Sequence, residues 1–69
     1  MDAIIYLREG STSTVYNISE IRSGTPNSPE PKIITDFKNL SLQGATLRFV
    51  GDNVVVVNGK DVLLVDFQQ

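Results

Sequence analysis

The sequence predicts an all-β protein: a small barrel or two-layer sandwich of five to six short antiparallel strands, ending in a three-stranded meander. Three observations predict it. Residues 45–67 are dense in Val, Leu and Phe and contain Asn58-Gly59, the strongest short-range hairpin signal, because a twist-matched two-residue turn needs positive φ at both centres. Gly, Asn, Asp and Pro clusters punctuate the chain at short intervals, at 9–12, 22–32, 43–44, 51–53 and 58–60. The β-branched content of the segments between them suits a pleated surface better than a helix.

Residues 3–8 are a strand candidate, 9–12 a turn, and 13–19 the returning strand. With Glu9-Gly10 as a two-residue turn, Ile5 faces Thr14 and Leu7 faces Thr12; a longer loop would give another register. One face then carries Ala3, Ile5, Leu7, Tyr16 and Ile18, and the other Ile4, Tyr6 and Val15. The first is expected to be core.

Residues 22–32 have loop composition, with Pro26, Pro29 and Pro31, Gly24 and no large apolar side chain. Pro26-Asn27-Ser28-Pro29 has the spacing of a polyproline ligand, but Arg22 is badly offset for one, so a solvated connector is expected. Residues 32–42 read two ways. Ile33, Ile34, Phe37 and Leu40 have helical spacing, whereas the run Ile33-Ile34-Thr35 and the alternation Leu40-Ser41-Leu42 favour strand.

Gln43-Gly44 is a break, and the meander follows: strand 46–50, turn 51–53, strand 54–57, turn 58–60, strand 61–67. Counting faces through both turns puts Leu47, Phe49, Val54, Val56, Leu63, Val65 and Phe67 on one side, expected to be core. The other side collects Val50, Val55, Val57, Val62 and Leu64, ringed by Thr46, Arg48, Lys60 and Asp66. An apolar centre with a polar rim has the character of an interface, which makes Arg48, Val50, Val55, Val57, Val62 and Leu64 the candidate interface residues. Burying five such side chains contributes on the order of 1.5–3 kcal/mol each before ordering costs. The N-terminal hairpin could cover that side; the alternative covers are a second copy of the chain, as a homodimer or larger assembly, or a different protein.

Sixty-nine residues make one domain, 1–69, near the lower limit for folding on a hydrophobic core alone. No cysteine and no histidine means no disulfide, no thiolate chemistry, no zinc-finger ligation and no imidazole base. The N-terminal apolar run is too short for a signal or membrane helix, so a cytoplasmic protein without membrane contact is expected. Six basic against eight acidic residues, both signs scattered, do not make the basic stripe of a phosphate-backbone binder.

The polar run Ser11 to Thr14 lacks a histidine or a Ser-x-x-Lys partner to activate a hydroxyl, and reads as a hairpin tip. Asp36, Asp52, Asp61 and Asp66 are of the type that pairs or holds a hard cation, but Asp52 and Asp61 sit in turns, where aspartate is common for backbone reasons, and Asp-Asn beside Gly51 does not match the spacing of a calcium loop. Gly51 and Gly59 sit between strands, where a phosphate-cradling loop is not expected. Asn17-Ile18-Ser19 and Asn39-Leu40-Ser41 match the glycosylation pattern by chance in a cytoplasmic chain. No catalytic residue, cofactor or metal site is therefore expected, and the protein is read as no enzyme. The leading function is a protein-interaction or self-assembling module, of the size and character of phage and mobile-element accessory proteins. The alternative is a small β-barrel that binds single-stranded nucleic acid, with Tyr6 and Arg8 as its one stacking pair.

Overall fold

The computed structural model describes residues 1–24, 32–36 and 46–69. In these the chain is all-β, with two antiparallel sheets packed as a sandwich and not closed into a barrel. The strands are β1 (Asp2–Leu7), β2 (Thr12–Val15), β3 (Glu20–Gly24), β4 (Lys32–Ile34), β5 (Thr46–Val50), β6 (Val54–Asn58) and β7 (Val62–Gln68). The three-stranded sheet has the order β2-β1-β7 and the four-stranded sheet the order β4-β3-β5-β6. Residues 25–31, with the polyproline spacing, and 37–45, with most of the strand-or-helix segment and the Gln43-Gly44 break, lie outside the described residues.

Among the described residues there are seven strands rather than the expected five or six, because the return strand ends at Val15, short of residue 19, and a further strand forms at Glu20–Gly24. β2 stops at Val15, and Asn17 adopts φ 51°, a left-handed conformation that Asn tolerates better than most residues. The chain restarts as β3 in the other sheet, so Arg22 to Gly24, read as loop, are strand. Lys32–Ile34 is strand and pairs with β3.

The β1–β2 and β5–β6 hairpins have three-residue loops. At the first, Leu7 N–H donates to Ser11 O (2.9 Å), Gly10 N–H donates to Leu7 O (3.0 Å), and Gly10 takes φ 109°. This is the common three-residue hairpin, with glycine in the positive-φ position. It sets Ala3 opposite Val15 and Ile5 opposite Ser13, one residue away from the Glu9-Gly10 register. A one-residue slip moves every side chain of the return strand to the other face. Val15 accordingly lies in the core, and Tyr16 is exposed. The same happens at 51–53, where Val50 faces Val54, Phe49 faces Val55 and Leu47 faces Val57. Val54 and Val56, expected in the core, point outward, and Val55 and Val57 pack against it.

The turn expected at Asn58-Gly59 does not form. Asn58 is extended (φ −80°, ψ 133°), and a short 3-10 helix, Gly59–Asp61, carries the chain to the other sheet. There β7 pairs with β1 rather than with β6, so the last of the three C-terminal strands crosses layers. The corner is held by the first hairpin loop: Arg8 N–H donates to Asp61 O (2.9 Å) and Arg8 Nε–H to Lys60 O (3.0 Å). The β1–β7 register shifts between Tyr6 and Leu7, pairing Leu7 with Val62 and Tyr6 with Leu64. That irregularity leaves Leu63 outside and turns Val62 inward, reversing the expected sides of both.

The core draws on both layers: Ala3, Ile5, Val15 and Val62 from one sheet, Ile21, Leu47 and Phe49 from the other, and Ile18 from the link between them. No described polar or charged residue is buried. Apart from Ile18, the described core side chains come from inward-facing strand positions, with Leu7, Ile34, Val65 and Phe67 packed against them.

Candidate functional site

Two loops at one end of the sandwich lock the layers together and so fix which strand faces are left open. Asn53 is the central residue: its Oδ1 accepts from Tyr16 N–H (2.9 Å), and its Nδ2 donates to Thr14 O (2.8 Å). Asp52 N–H donates to Tyr16 O (2.8 Å), and Asn17 Nδ2 donates to Asp52 Oδ2 (2.7 Å). Ser19 N–H donates to Val50 O (2.8 Å), Ile18 N–H to Met1 O (2.8 Å), and Asn17 N–H to Asp2 Oδ1 (3.0 Å). The backbone that leaves β2 is thereby handed to β3 with its donors satisfied.

The six candidate interface residues do not share a surface. Arg48 and Val50 lie on the outer side of β5, Arg48 exposed and Val50 half-buried. Val55 and Val57 line the inner side of β6, and Val62 is core, 2% exposed. Leu64 is on the outer side of the other sheet, beside Tyr6. What separates them is the odd-length loop at 51–53 and the strand that changes sheets after 58.

An open apolar sheet face exists nonetheless, built from other residues. On the outer side of the four-stranded sheet, one row across the strands reads Ile33, Arg22, Arg48, Val56, and the next reads Glu20, Val50, Val54. Ile33, Val54 and Val56 are 58%, 55% and 53% exposed. Arg22 Nε–H donates to Glu20 Oε2 at 2.8 Å within β3, and Thr46 Oγ1–H donates to Asn58 Oδ1 (3.5 Å) at the end of the face. Val54, Val56 and Ile33 were not expected here. Pairing Val50 with Val54 across the 51–53 turn exposes the first two.

A cleft of about 450 Å³ opens between the β1–β2 loop and the end of β6, lined by Leu7, Arg8, Glu9, Val57, Asn58 and Asp61. Its charged groups serve the fold: Arg8 holds the β6–β7 corner, and Glu9 Oε1 accepts from Ser11 Oγ across the loop. The other candidate carboxylates also act locally, Asp52 toward Asn17 and Asp66 toward Gln68 Nε2 (2.8 Å). Among the described residues no three acidic side chains come together to hold a metal ion. Tyr6 is half-buried on the three-stranded sheet between Thr12 and Leu64. No described helix is long and apolar enough to cross a membrane.

The geometry defines a small all-β sandwich whose four-stranded sheet has an open outer face of mixed apolar and charged side chains, while Leu63 and Leu64 of β7 are exposed on the other sheet. The chain matches no known family model, no curated protein and no solved structure.

Proposed function

We propose that this protein is a non-enzymatic interaction module that docks the outer face of its four-stranded sheet onto protein, either another chain or its own copy. One observation carries the reading: Val54, Val56 and Ile33 stand more than half exposed on a face whose opposite side is already filled by core. An antiparallel sheet with a wet face alternates apolar inside and polar outside. β6 departs from that rule, since Val54-Val55-Val56-Val57 is apolar on both sides. Covering the outer half of these side chains contributes about 1 kcal/mol each, half the value for full burial. Arg22, Arg48 and Glu20 frame the patch, and arginine beside an apolar centre is the composition of protein interfaces.

Single-stranded nucleic acid fits less well, because the face has no aromatic ring among the described residues on which a base could stack. The reading needs no cofactor. It suits a cytoplasmic accessory protein of phage or mobile-element type. The test is a photo-crosslinking phenylalanine analogue in place of Val56, compared with the same analogue in place of Ser11 on the hairpin loop, in the cells that make the protein. A discrete adduct from position 56 and none from position 11 is the expected result. Absence of an adduct at 56, at equal expression and folding, overturns the reading.

A further inference from the structure

Resting on that reading, we propose that the occupant of the open face is a second copy of this chain, turned about a two-fold axis that crosses the strands between the Arg22 row and the Glu20 row. The argument is the pattern of charge on the sheet. β3 carries Glu20 and Arg22 on the same outer side, two residues and so roughly 6.7 Å apart. β5 carries Arg48 beside Arg22 and Val50 beside Glu20, and β6 carries Val56 and Val54 in the same two rows. Each of these strands thus holds one residue in each row, so a two-fold axis across the strands lays every strand over its own copy with the rows exchanged.

That operation puts Arg22 over the partner's Glu20 and, by symmetry, Glu20 over the partner's Arg22. Val56 meets the partner's Val54, and the stem of Arg48 meets the partner's Val50. Because Arg48 stands next to Arg22 on the neighbouring strand, the partner's Glu20 faces two guanidinium groups. The other two-fold axis lying in the face, parallel to the strands, reverses the strand order. It would set β3 over the partner's β5 and bring Arg22 onto the partner's Arg48, like charge on like charge. Juxtaposed like charges at an interface are strongly unfavourable, so the axis across the strands is the one the charges select. Aligned sheets pack about 10 Å apart within about 30° of parallel, a separation that Arg and Glu side chains span from opposite sides. The Arg22–Glu20 pair, present within one chain at 2.8 Å with side chains 45% and 24% exposed, becomes half of an alternating four-charge ring. Such a contact is isologous and closed, and stops at a dimer.

Charge reversal tests it through molar mass by light scattering on the purified chain, with circular dichroism as the check on folding. The wild-type chain is expected to run as a dimer. Glu20→Arg alone and Arg22→Glu alone each weaken the dimer by at least about 10-fold, because both pairs between positions 20 and 22 across the face become repulsive. An equal mixture of the two variants restores a one-to-one heterodimer, and the double variant Glu20→Arg with Arg22→Glu recovers part of the homodimer, because its exchanged pairs attract again while Arg48 still faces the reversed charge at position 20 of the partner. Glu20→Gln, nearly isosteric, gives a smaller loss in the same direction and serves if a reversal unfolds the chain. A monomer at every concentration overturns the self-pairing; the docking reading then stands or falls separately on whether position 56 crosslinks to a different protein. A dimer that ignores these charges, or variants that do not recover on mixing, overturns the proposed axis.

Discussion

Replacing Gly51 with alanine should be among the most damaging single-atom additions available to this fold. A Cβ built at Gly51 would stand 2.4 Å from Tyr16 O, 2.9 Å from Val15 Cγ1 and 3.0 Å from Asn17 O. Two of these three atoms are backbone, so no rotamer change relieves the contact. Restoring van der Waals distance to Tyr16 O requires the 51–53 loop to retreat by about 1 Å, and that same carbonyl accepts from Asp52 N–H at 2.8 Å. The retreat also stretches the two bonds of Asn53 to Tyr16 N–H and Thr14 O. Overpacking costs typically 1–3 kcal/mol and each hydrogen bond nets about 1 kcal/mol, so a loss of roughly 3 kcal/mol is expected. At about 0.05–0.15 kcal/mol per residue, a chain this short has roughly 3–10 kcal/mol in total, so the substitution removes from about a third to all of its stability. Thermal melts followed by circular dichroism should show Tm falling by roughly 12–24 °C, from about 4–8 °C per kcal/mol at this size. Gly10→Ala is the control, with positive φ but nothing within 4 Å of its Cβ. It should cost only the strain of a left-handed alanine, roughly 1–2 kcal/mol. A Gly51→Ala loss no larger than that of Gly10→Ala would refute the clamp between the two loops.

Asn53→Ala removes an acceptor and a donor that join the two layers, and should lower unfolding free energy by about 2 kcal/mol in urea titrations without changing the m-value. Val55→Thr should destabilise the chain by about 1–2 kcal/mol, whereas Val56→Thr, facing outward, should stay within about 0.5 kcal/mol in the monomer. Equal costs at the two positions would contradict the three-residue loop. Val62→Lys should prevent folding, because it places an unpaired ammonium in the core, and its circular dichroism spectrum should lose the β signal; Leu64→Lys should fold normally.

The distribution of strands was legible in the chain itself. The β-branched runs at 54–57 and 62–65 and the β-formers at 3–7 are strands because their side chains suit a pleated surface and their flanks carry turn residues. Ala3, Ile5, Leu47 and Phe49 were recognisable as core from their alternation, since period-2 spacing within one strand needs no knowledge of the neighbour. The candidate surface was not legible in the same way. Its membership depends on pairing between strands, and a one-residue change of register across the 51–53 turn exchanges Val54 and Val56 for Val55 and Val57.

Local sequence therefore determined that this is a small antiparallel β protein, where most of its strands lie outside residues 16–24 and 32–42, and that its last third has more apolar surface than one core can absorb. Only the tertiary structure decided the partner of each strand. Asn58-Gly59 is compatible with a tight turn, yet β7 pairs with β1, where Val65 and Phe67 reach the core beside Ile5 and Ala3. Turn preference amounts to about 1 kcal/mol, while seating Val62, Val65 and Phe67 in the sandwich is worth several. That burial joins the first strand of the chain to the last, and no local pattern reaches across such a separation.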